Sequence, residues 1–195
     1  MSLRVETLTG SALAAALDDV ARLRIAVFRD WPYLYDGDEA YERRYLEVYR
    51  ESPSAILVGA FEGDRLIGAA TGTPMEDHAA EFASAFSGSG LALSDIFYCA
   101  ESVLLHDFRG QGIGHRFFDL REAHARALGR SHAAFCSVVR PADHPARPAA
   151  YRPLDTFWRK RGYAPLEGAV AEYAWKDLGE PAETAKPMQF WLRRI

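Results

Sequence analysis

The sequence is poor in cysteine, which excludes a disulfide scaffold as the basis of the fold. Its two cysteines, Cys99 and Cys136, stand in apolar strand-like runs without the spacing of a metal site. The six histidines are scattered and show no metal-ligand spacing either. We therefore expect two buried free thiols, a reducing compartment and no metal.

Long apolar runs and an excess of basic residues are also absent. No segment approaches the roughly 18 consecutive apolar residues that a membrane-spanning helix needs. The first residues lack the basic stretch of a secretory signal, and their short apolar run ends at Asp18 and Asp19. The formal net charge of -4 gives no electrostatic support to nucleic-acid binding. We expect a cytoplasmic protein that binds neither membranes nor nucleic acid.

What remains is the length and composition of one globular domain. The 195 residues are 49% hydrophobic and 26% charged, a balance typical of a protein with a sizeable core. No repeat, linker or low-complexity tract divides the chain, so we expect residues 1–195 to form a single domain. Strand-like and helix-like segments are mixed along it, which favours an α/β (α+β) fold with one sheet covered by helices.

Hydrophobic periodicity predicts the order of these segments. Strands are predicted at 3–8, 54–62, 65–75, 95–105, 132–139, near 168–177 and near 187–194. Helices are predicted at 11–28, 39–51, 76–86, 113–128 and 154–163. The inserted segment 76–94 is a candidate lid over a binding site.

Glycines crowd the start of the helix predicted at 113–128. Gly110, Gly112 and Gly114 follow closely after the apolar strand that ends at Leu105. Glycine loses much backbone entropy on folding, so its repetition indicates unusual backbone angles or a ligand that approaches closely. A helix N-terminus offers free amides and a positive dipole, and Arg109 adds a fixed charge. The pattern predicts a phosphate-binding loop, with a ligand-free glycine turn as the alternative.

The loop resembles the signature of the GNAT superfamily, the acyl-CoA-dependent N-acyltransferases. It reads Arg109-x-x-Gly112-x-Gly114 and matches neither the dinucleotide fingerprint nor a P-loop. The predicted element order resembles that of the superfamily over most of the chain, and the stretch FWRKRGY at 157–163 supplies a second match. The resemblance implies a single mixed, mostly antiparallel sheet of six to seven strands, with helices on both faces and acetyl-CoA as co-substrate.

The resemblance also assigns the acyl-CoA site to residues of this chain. The backbone of Val103, Leu104 and Leu105 would bind the pantetheine arm like an added strand. The pyrophosphate would be held by the loop residues Arg109, Gly110, Gln111, Gly112, Ile113 and Gly114. The Leu104 amide would also hold the oxyanion of the reacting acyl group.

The proton donor departs from the family pattern. Many relatives have a tyrosine that protonates the leaving thiolate, and the matching residue here is Trp158, whose indole cannot give up a proton at useful pH. We predict that Tyr151 takes this role instead, with packing beneath the proline-rich loop as its alternative. Trp158 is predicted to lie in the core.

Glu101 is the first candidate for the base that deprotonates the amine. It is the only carboxylate inside the predicted signature strand, which begins at Asp95, and its neighbours in the strand are apolar. A salt-bridged or edge-exposed glutamate is the structural alternative. Tyr98 points to the opposite face in a regular strand, although a bulge would change this alternation. If Glu101 faces away from the site, Tyr98 takes its place.

The loop between the first two helices would form one wall of the acceptor site in this family. It is dense in aromatic and acidic residues, and we expect Trp31, Tyr33 and Tyr35 to contact a cationic amine. Asp36 and Asp38 have a simpler alternative role as caps of the second helix.

Together these observations predict an N-acyltransferase. It would move an acetyl or other small acyl group from acetyl-CoA to a primary amine, on a small molecule or peptide, by direct attack in a ternary complex. The alternative is a catalytically weak acyl-CoA-binding module that acts through a partner protein. The sequence leaves the amine, the acyl chain length and the oligomeric state open, and the C-terminal strand could pair with a second copy to form a homodimer.

Overall fold

The computed structural model describes residues 2–195, which contain seven strands and five α-helices. The strands are β1 (Leu3–Leu8), β2 (Ile56–Glu62), β3 (Arg65–Pro74), β4 (Ile96–Leu104), β5 (His132–Val138), β6 (Ala164–Lys176) and β7 (Glu183–Arg194). The helices are α1 (Gly10–Phe28), α2 (Glu39–Glu51), α3 (Ala79–Phe86), α4 (Ile113–Ala127) and α5 (Asp155–Lys160). None of these helices is both long enough and apolar enough to cross a membrane. The predicted elements are all present, although β6 and β7 begin earlier than predicted.

The strands form one sheet in the order β1-β2-β3-β4-β5-β7-β6. All neighbouring pairs are antiparallel except β4 and β5, which are parallel. The predicted mixed, mostly antiparallel sheet is confirmed. Because β7 pairs with β5 on one side and β6 on the other, it has no free edge. The predicted pairing of this strand with a second copy is therefore wrong.

The two parallel strands pair only where they begin. Residues Ile96–Tyr98 of β4 pair with His132–Ala134 of β5, and no further pairs join the two strands within residues 2–195. The rest of β4, residues 99–104, consequently faces an opening in the sheet. Such an edge presents unpaired backbone groups to a ligand.

A β-bulge interrupts β4 beside this opening. Ala70 pairs with Ser102 and Gly72 pairs with Cys99, so Thr71 of β3 faces two residues of β4, Ala100 and Glu101. An extra residue in one strand shifts the alternation of side chains between the two faces of the sheet.

Helices cover both faces of the sheet, as predicted. Helices α1 and α2 pack over Leu57 and Val103 on one face, whereas α4 packs over Val58 and Phe97 on the other. Helix α3 packs on Tyr98 through Phe82, which is fully buried. Helix α3 thus contributes to the core, and a lid role for segment 76–94 stays a prediction.

Candidate active site

The loop Arg109–Gly114 leads into α4 and presents free backbone amides. Gly110 and Gly112 have φ angles of +79° and +81°, a region that favours glycine because it lacks a Cβ. At the start of α4, the amides of His115 and Arg116 both donate to the Gly112 carbonyl. They are the first amides after the loop that have a backbone acceptor. Within residues 2–195, the amides of 110–114 have no hydrogen-bond acceptor.

These amides together form a site suited to an anion. They lie at the positive end of the α4 dipole, where backbone amides and the helix field both attract negative charge. A Cβ atom on Gly110 or Gly112 would meet nothing within 4 Å, so the loop is open to the outside. Arg109 is exposed, and its Nε donates to the Leu104 carbonyl at 3.2 Å. The loop can therefore bind a phosphate or diphosphate group.

The Leu104 backbone lies at the open edge of β4. The Leu105 amide donates to the Ile67 carbonyl of β3 at 3.0 Å. Because hydrogen-bonding directions alternate along an antiparallel ladder, the Leu104 amide and carbonyl point away from β3. By the same alternation the backbone groups of Val103 face β3, and its side chain is fully buried, so the predicted direct contact of Val103 with the pantetheine arm does not fit this geometry.

Glu101 lies at the centre of a buried hydrogen-bond cluster. Its Oε2 accepts from Arg24 Nη1 at 2.8 Å and from Tyr45 Oη at 3.2 Å. Its Oε1 accepts from Thr71 Oγ1 at 2.7 Å. The apolar surroundings predicted from the strand sequence are therefore wrong, because α1, α2 and β3 supply the polar partners. The salt-bridged alternative describes the geometry correctly.

Arg24 is shared between two carboxylates, those of Glu42 at 2.5 Å and Glu101 at 2.8 Å. Burial by itself lowers the pKa of Arg24, but the carboxylates of Glu101 and Glu42 raise it well above its ordinary value. The guanidinium is thus a permanent cation. One cation between two carboxylates leaves this cluster, which we term the Arg24 cluster, with one excess negative charge.

A cleft lies over Glu101. We term it the aromatic cleft, because eight of its thirteen lining residues are aromatic. The sheet contributes Tyr98, Ala100, Glu101, Cys136, Met188, Tyr173 and Trp175. The helical side contributes Arg24, Phe28, Tyr33, Tyr35, Tyr41 and Tyr45. The cleft crosses β4, β5, β7 and β6, and it adjoins the opening between β4 and β5.

Tyr98 and Glu101 both line this cleft, although they stand three positions apart on β4. The sequence treated them as alternatives on opposite faces, and the bulge opposite Thr71 makes that opposition wrong. Tyr98 Oη lies 3.4 Å from Cys136 Sγ across the opening between the strands. Burial raises the pKa of Tyr98 well above its ordinary value and that of Cys136 to about 12. Both groups therefore keep their protons at neutral pH.

Some of the other predicted site residues line the aromatic cleft, and others lie outside it. Tyr33 and Tyr35, predicted to contact a cationic amine, line the aromatic cleft, but Trp31 does not. The Trp31 ring instead packs beside His144 at 5.0 Å and edge-on to Tyr151 at 6.0 Å between ring centres. Tyr151 is likewise outside the cleft lining.

Trp158 packs against the rings of Phe135 and Trp191, with centres 4.9 Å and 5.1 Å away. Trp158 is partly buried and packs against the core on the α4 side of the sheet. Asp38 caps α2 by accepting from the Tyr41 amide at 2.9 Å, whereas Asp36 pairs with Lys176.

Sequence reasoning missed about half of the aromatic cleft. Tyr41 and Tyr45 stand one turn apart on α2, and Tyr173 and Trp175 alternate on β6, so local spacing was an available signal. Their convergence depends on the strand order, which places β7 between β5 and β6. The strand order cannot be predicted from the spacing of residues along the chain.

Comparison with known families decides the classification. The model of the Acetyltransferase (GNAT) family matches residues 17–155. The chain belongs to the GNAT acetyltransferase family. The resemblance inferred from the loop is thereby confirmed. No curated protein sequence matches the chain.

Solved structures of other GNAT proteins share the fold. A putative acetyltransferase from Acinetobacter baylyi has a TM-score of 0.63 at 12% identity, covering 100% of this chain and 93% of that chain. The polyamine N-acetyltransferase of Drosophila melanogaster has a TM-score of 0.61 at 11% identity, covering 100% of both chains. PaiA N-acetyltransferase from Thermoplasma acidophilum, solved with coenzyme A, has a TM-score of 0.58 at 12% identity and the same coverage. At these identities the likeness establishes the GNAT fold.

Proposed function

We propose that this GNAT protein transfers an acetyl group from acetyl-CoA to a primary amine by direct attack in a ternary complex. The observation that carries the proposal is the row of acceptor-free amides at 110–114, which adjoins the open edge of β4. That edge leads to a cleft with a buried carboxylate. Acetyl-CoA is a substrate in this reaction. The loop suits its pyrophosphate, and the β4 edge suits its pantetheine arm.

The loop and the β4 edge fit coenzyme A chemically. The pyrophosphate is an anion that the amides of Gly110, Gln111, Gly112, Ile113 and Gly114 would bind, with Arg109 adding charge at the rim. The pantetheine arm contains amide groups, which would hydrogen-bond the Leu104 backbone at the open edge as an added strand does, while the backbone groups of Val103 and the Leu105 amide face β3 and position that edge. The relative solved with coenzyme A supports the same choice of ligand.

The aromatic cleft would hold the amine. An amine that arrives protonated must lose a proton before it can attack the thioester. Glu101 would take that proton, directly or through water, while Arg24 and Thr71 hold its carboxylate in place. The Leu104 amide would stabilise the oxyanion that forms as the nitrogen bonds to the acyl carbon. Tyr151 is the predicted donor to the departing thiolate.

The second candidate is an acyl-CoA-binding module without efficient turnover. It is favoured by Trp158, which occupies the position of the family's proton-donating tyrosine and packs against the core. It is also favoured by the pairing of Glu101 with Arg24.

Release of free CoA from acetyl-CoA, measured with a thiol reagent, separates the two candidates. We expect release to depend on an added amine and to produce the N-acetyl amine in equal amount. Tight binding of acetyl-CoA with no release by any amine would instead identify the module. Absence of acetyl-CoA binding would contradict both.

A further inference from the structure

The geometry points to an acceptor that is a monoamine with a flat apolar body, an arylalkylamine in chemical class. This inference deepens the proposed function and rests on it, because it names the molecule that would bind in the aromatic cleft. It is carried by the charges at the two ends of the cleft and by the residues between them.

The β4 end of the cleft carries an excess of negative charge. Glu42 and Glu101 share the single guanidinium of Arg24. Oε1 of Glu42 is buried without a hydrogen bond within residues 2–195, and it faces the Tyr35 hydroxyl, which is likewise buried and unpaired. Buried charge that is not fully paired is costly, and a cation nearby reduces that cost. The ammonium group of a substrate, bound beside Glu101, would be such a cation.

Beside Trp175, at the β6 end of the cleft, two cations share one carboxylate, whereas Tyr173 farther along β6 donates to Glu81 at 3.3 Å. Asp177 pairs with both Arg140 and Lys186, at 2.7 Å and 3.3 Å. Lys186 Nζ also lies 4.9 Å from the centre of the Trp175 ring, and the Arg140 guanidinium carbon lies 5.8 Å from it. Lys186 stands on β7 and Arg140 follows β5, but both reach Trp175 on β6, which lies three strand spacings from β4, about 15 Å. A second ammonium there, as in a polyamine, would be repelled.

The cleft also offers no free cation to a substrate carboxylate. Arg24 is the one cationic residue in the described lining, and two carboxylates already hold it. Behind the lining, Arg140 donates to Asp177 and to the carbonyl oxygens of Pro32 and Tyr33. A free amino acid would therefore bring an unpaired carboxylate towards Glu101 and Glu42. This disfavours amino acids as acceptors.

Aromatic rings occupy the space between the two ends. Tyr41 from α2 and Tyr98 and Tyr173 from the sheet line the cleft. The Tyr45 ring is already covered by the Arg24 guanidinium, 3.8 Å from its centre. Flat apolar groups pack well on such rings, and an ammonium gains from ring faces that remain free. One positive charge with an aryl body matches this combination best.

Equilibrium binding tests the inference without any acyl transfer. The probe is 2-phenylethylamine, titrated by calorimetry with and without CoA. Its comparators are 2-phenylethanol, which lacks the charge, phenylalanine, which adds a carboxylate, and spermidine, which adds charges and lacks the ring. We expect each comparator to bind at least about tenfold more weakly. Equal or tighter binding of spermidine or phenylalanine would overturn the inference.

Three variants test whether the binding is in the cleft. Trp175→Leu removes a ring from the lining, and Trp158→Leu makes the same change against the core on the other side of the sheet. We expect the affinity for 2-phenylethylamine to fall about tenfold in the first variant and to stay unchanged in the second. Glu42→Gln removes the excess charge, so it should weaken binding of 2-phenylethylamine but not of 2-phenylethanol. Unchanged amine affinity in folded Trp175→Leu and Glu42→Gln proteins would contradict the site.

Failure of this inference differs from failure of the proposed function. If spermidine releases CoA and 2-phenylethylamine does not, acyl transfer stands and the arylalkylamine class is wrong. If 2-phenylethylamine binds as expected but no amine releases CoA, the cleft assignment stands and the acetyltransferase proposal is wrong.

Discussion

Arg121 and Glu101 are joined through the backbone of β4. Nη1 of Arg121 donates to the Glu101 carbonyl at 3.2 Å and to the Thr71 carbonyl at 3.0 Å. These two residues flank the bulge, and Nη2 donates to Ser102 Oγ at 2.8 Å. Arg121 is 1% exposed, and within residues 2–195 no carboxylate pairs with it. Its guanidinium therefore satisfies the carbonyls that the bulge removes from the β3–β4 ladder.

We expect Arg121→Met to disturb both stability and turnover. The substitution keeps an extended side chain but leaves buried carbonyls without donors, so the free energy of unfolding should fall by about 2 to 4 kcal/mol. Because the bulge sets the direction of Glu101, kcat should also fall while acetyl-CoA affinity changes little. Denaturant unfolding, calorimetry and steady-state rates measure these effects.

Arg126→Met is the control for Arg121→Met, since Arg126 lies exposed on the same helix. Arg121→Lys should restore part of the turnover because it retains a donor beneath the bulge. A folded Arg121→Met protein with unchanged kcat would show that the bulge keeps Glu101 in place without this residue.

The glycine loop gives a prediction about acetyl-CoA binding. Gly112→Val places a β-branched residue at φ +81°, which costs about 1 to 3 kcal/mol and puts a side chain where the pyrophosphate would approach. We expect acetyl-CoA affinity to fall by at least about tenfold. Gly129→Val is the matched control, because Gly129 has φ +74° at the other end of α4. If the two variants bind acetyl-CoA equally well, the loop does not hold the pyrophosphate.

Glu101→Gln tests the proposed base. The change removes the proton acceptor but keeps the shape of the side chain, so kcat should fall by about a hundredfold at neutral pH. The deficit should shrink at high pH, where the amine loses its proton unaided, and acetyl-CoA affinity should stay nearly constant. Glu122→Gln, a buried glutamate on the α4 face that pairs with Arg161, serves as the control. An undiminished neutral rate would remove Glu101 from the mechanism and direct attention to Tyr98.

Local patterns predicted the elements and the glycine loop because both depend on neighbours in the chain. Helix α2 and the loop after β4 are set by helical spacing, by the Asp38 cap and by glycines at positive φ. The Arg24 cluster could not be predicted in this way. Arg24 stands at a position of α1 that continues its apolar face, which indicates burial. Its partners Glu42 and Glu101, however, come from α2 and β4. Only tertiary packing brings those three residues together.

The bulge explains the other error. Strict alternation along β4 separates Tyr98 from Glu101, and the register with β3 is what brings both into one cleft. Nothing in the sequence of β4 alone marks where the extra residue lies. The position of Trp31 has a similar cause, since the loop after α1 turns its ring towards the proline-rich segment and away from the cleft lining.

The last prediction concerns the proton that the departing thiolate receives. Burial raises the pKa of Tyr151, and the nearby Asp155 raises it further, so the phenol stays protonated at neutral pH and can donate. Tyr151→Phe keeps the ring beside Trp31 and deletes only the hydroxyl. We expect kcat to fall about a hundredfold with thermal stability nearly unchanged. Trp158→Phe should instead lower the free energy of unfolding by about 1 to 3 kcal/mol, because it opens a cavity in the core, and leave kcat largely intact.

Tyr98→Phe belongs in the same experiment, because Tyr98 Oη lies at the opening between β4 and β5, 3.4 Å from Cys136 Sγ. Normal turnover by Tyr151→Phe together with loss in Tyr98→Phe would assign the proton to Tyr98. Loss in Trp158→Phe alone, in a protein that remains folded, would mean that the roles of Tyr151 and Trp158 are reversed. If all three variants turn over normally, solvent protonates the thiolate, and the hydroxyl of Tyr151 serves only to pack the proline-rich loop.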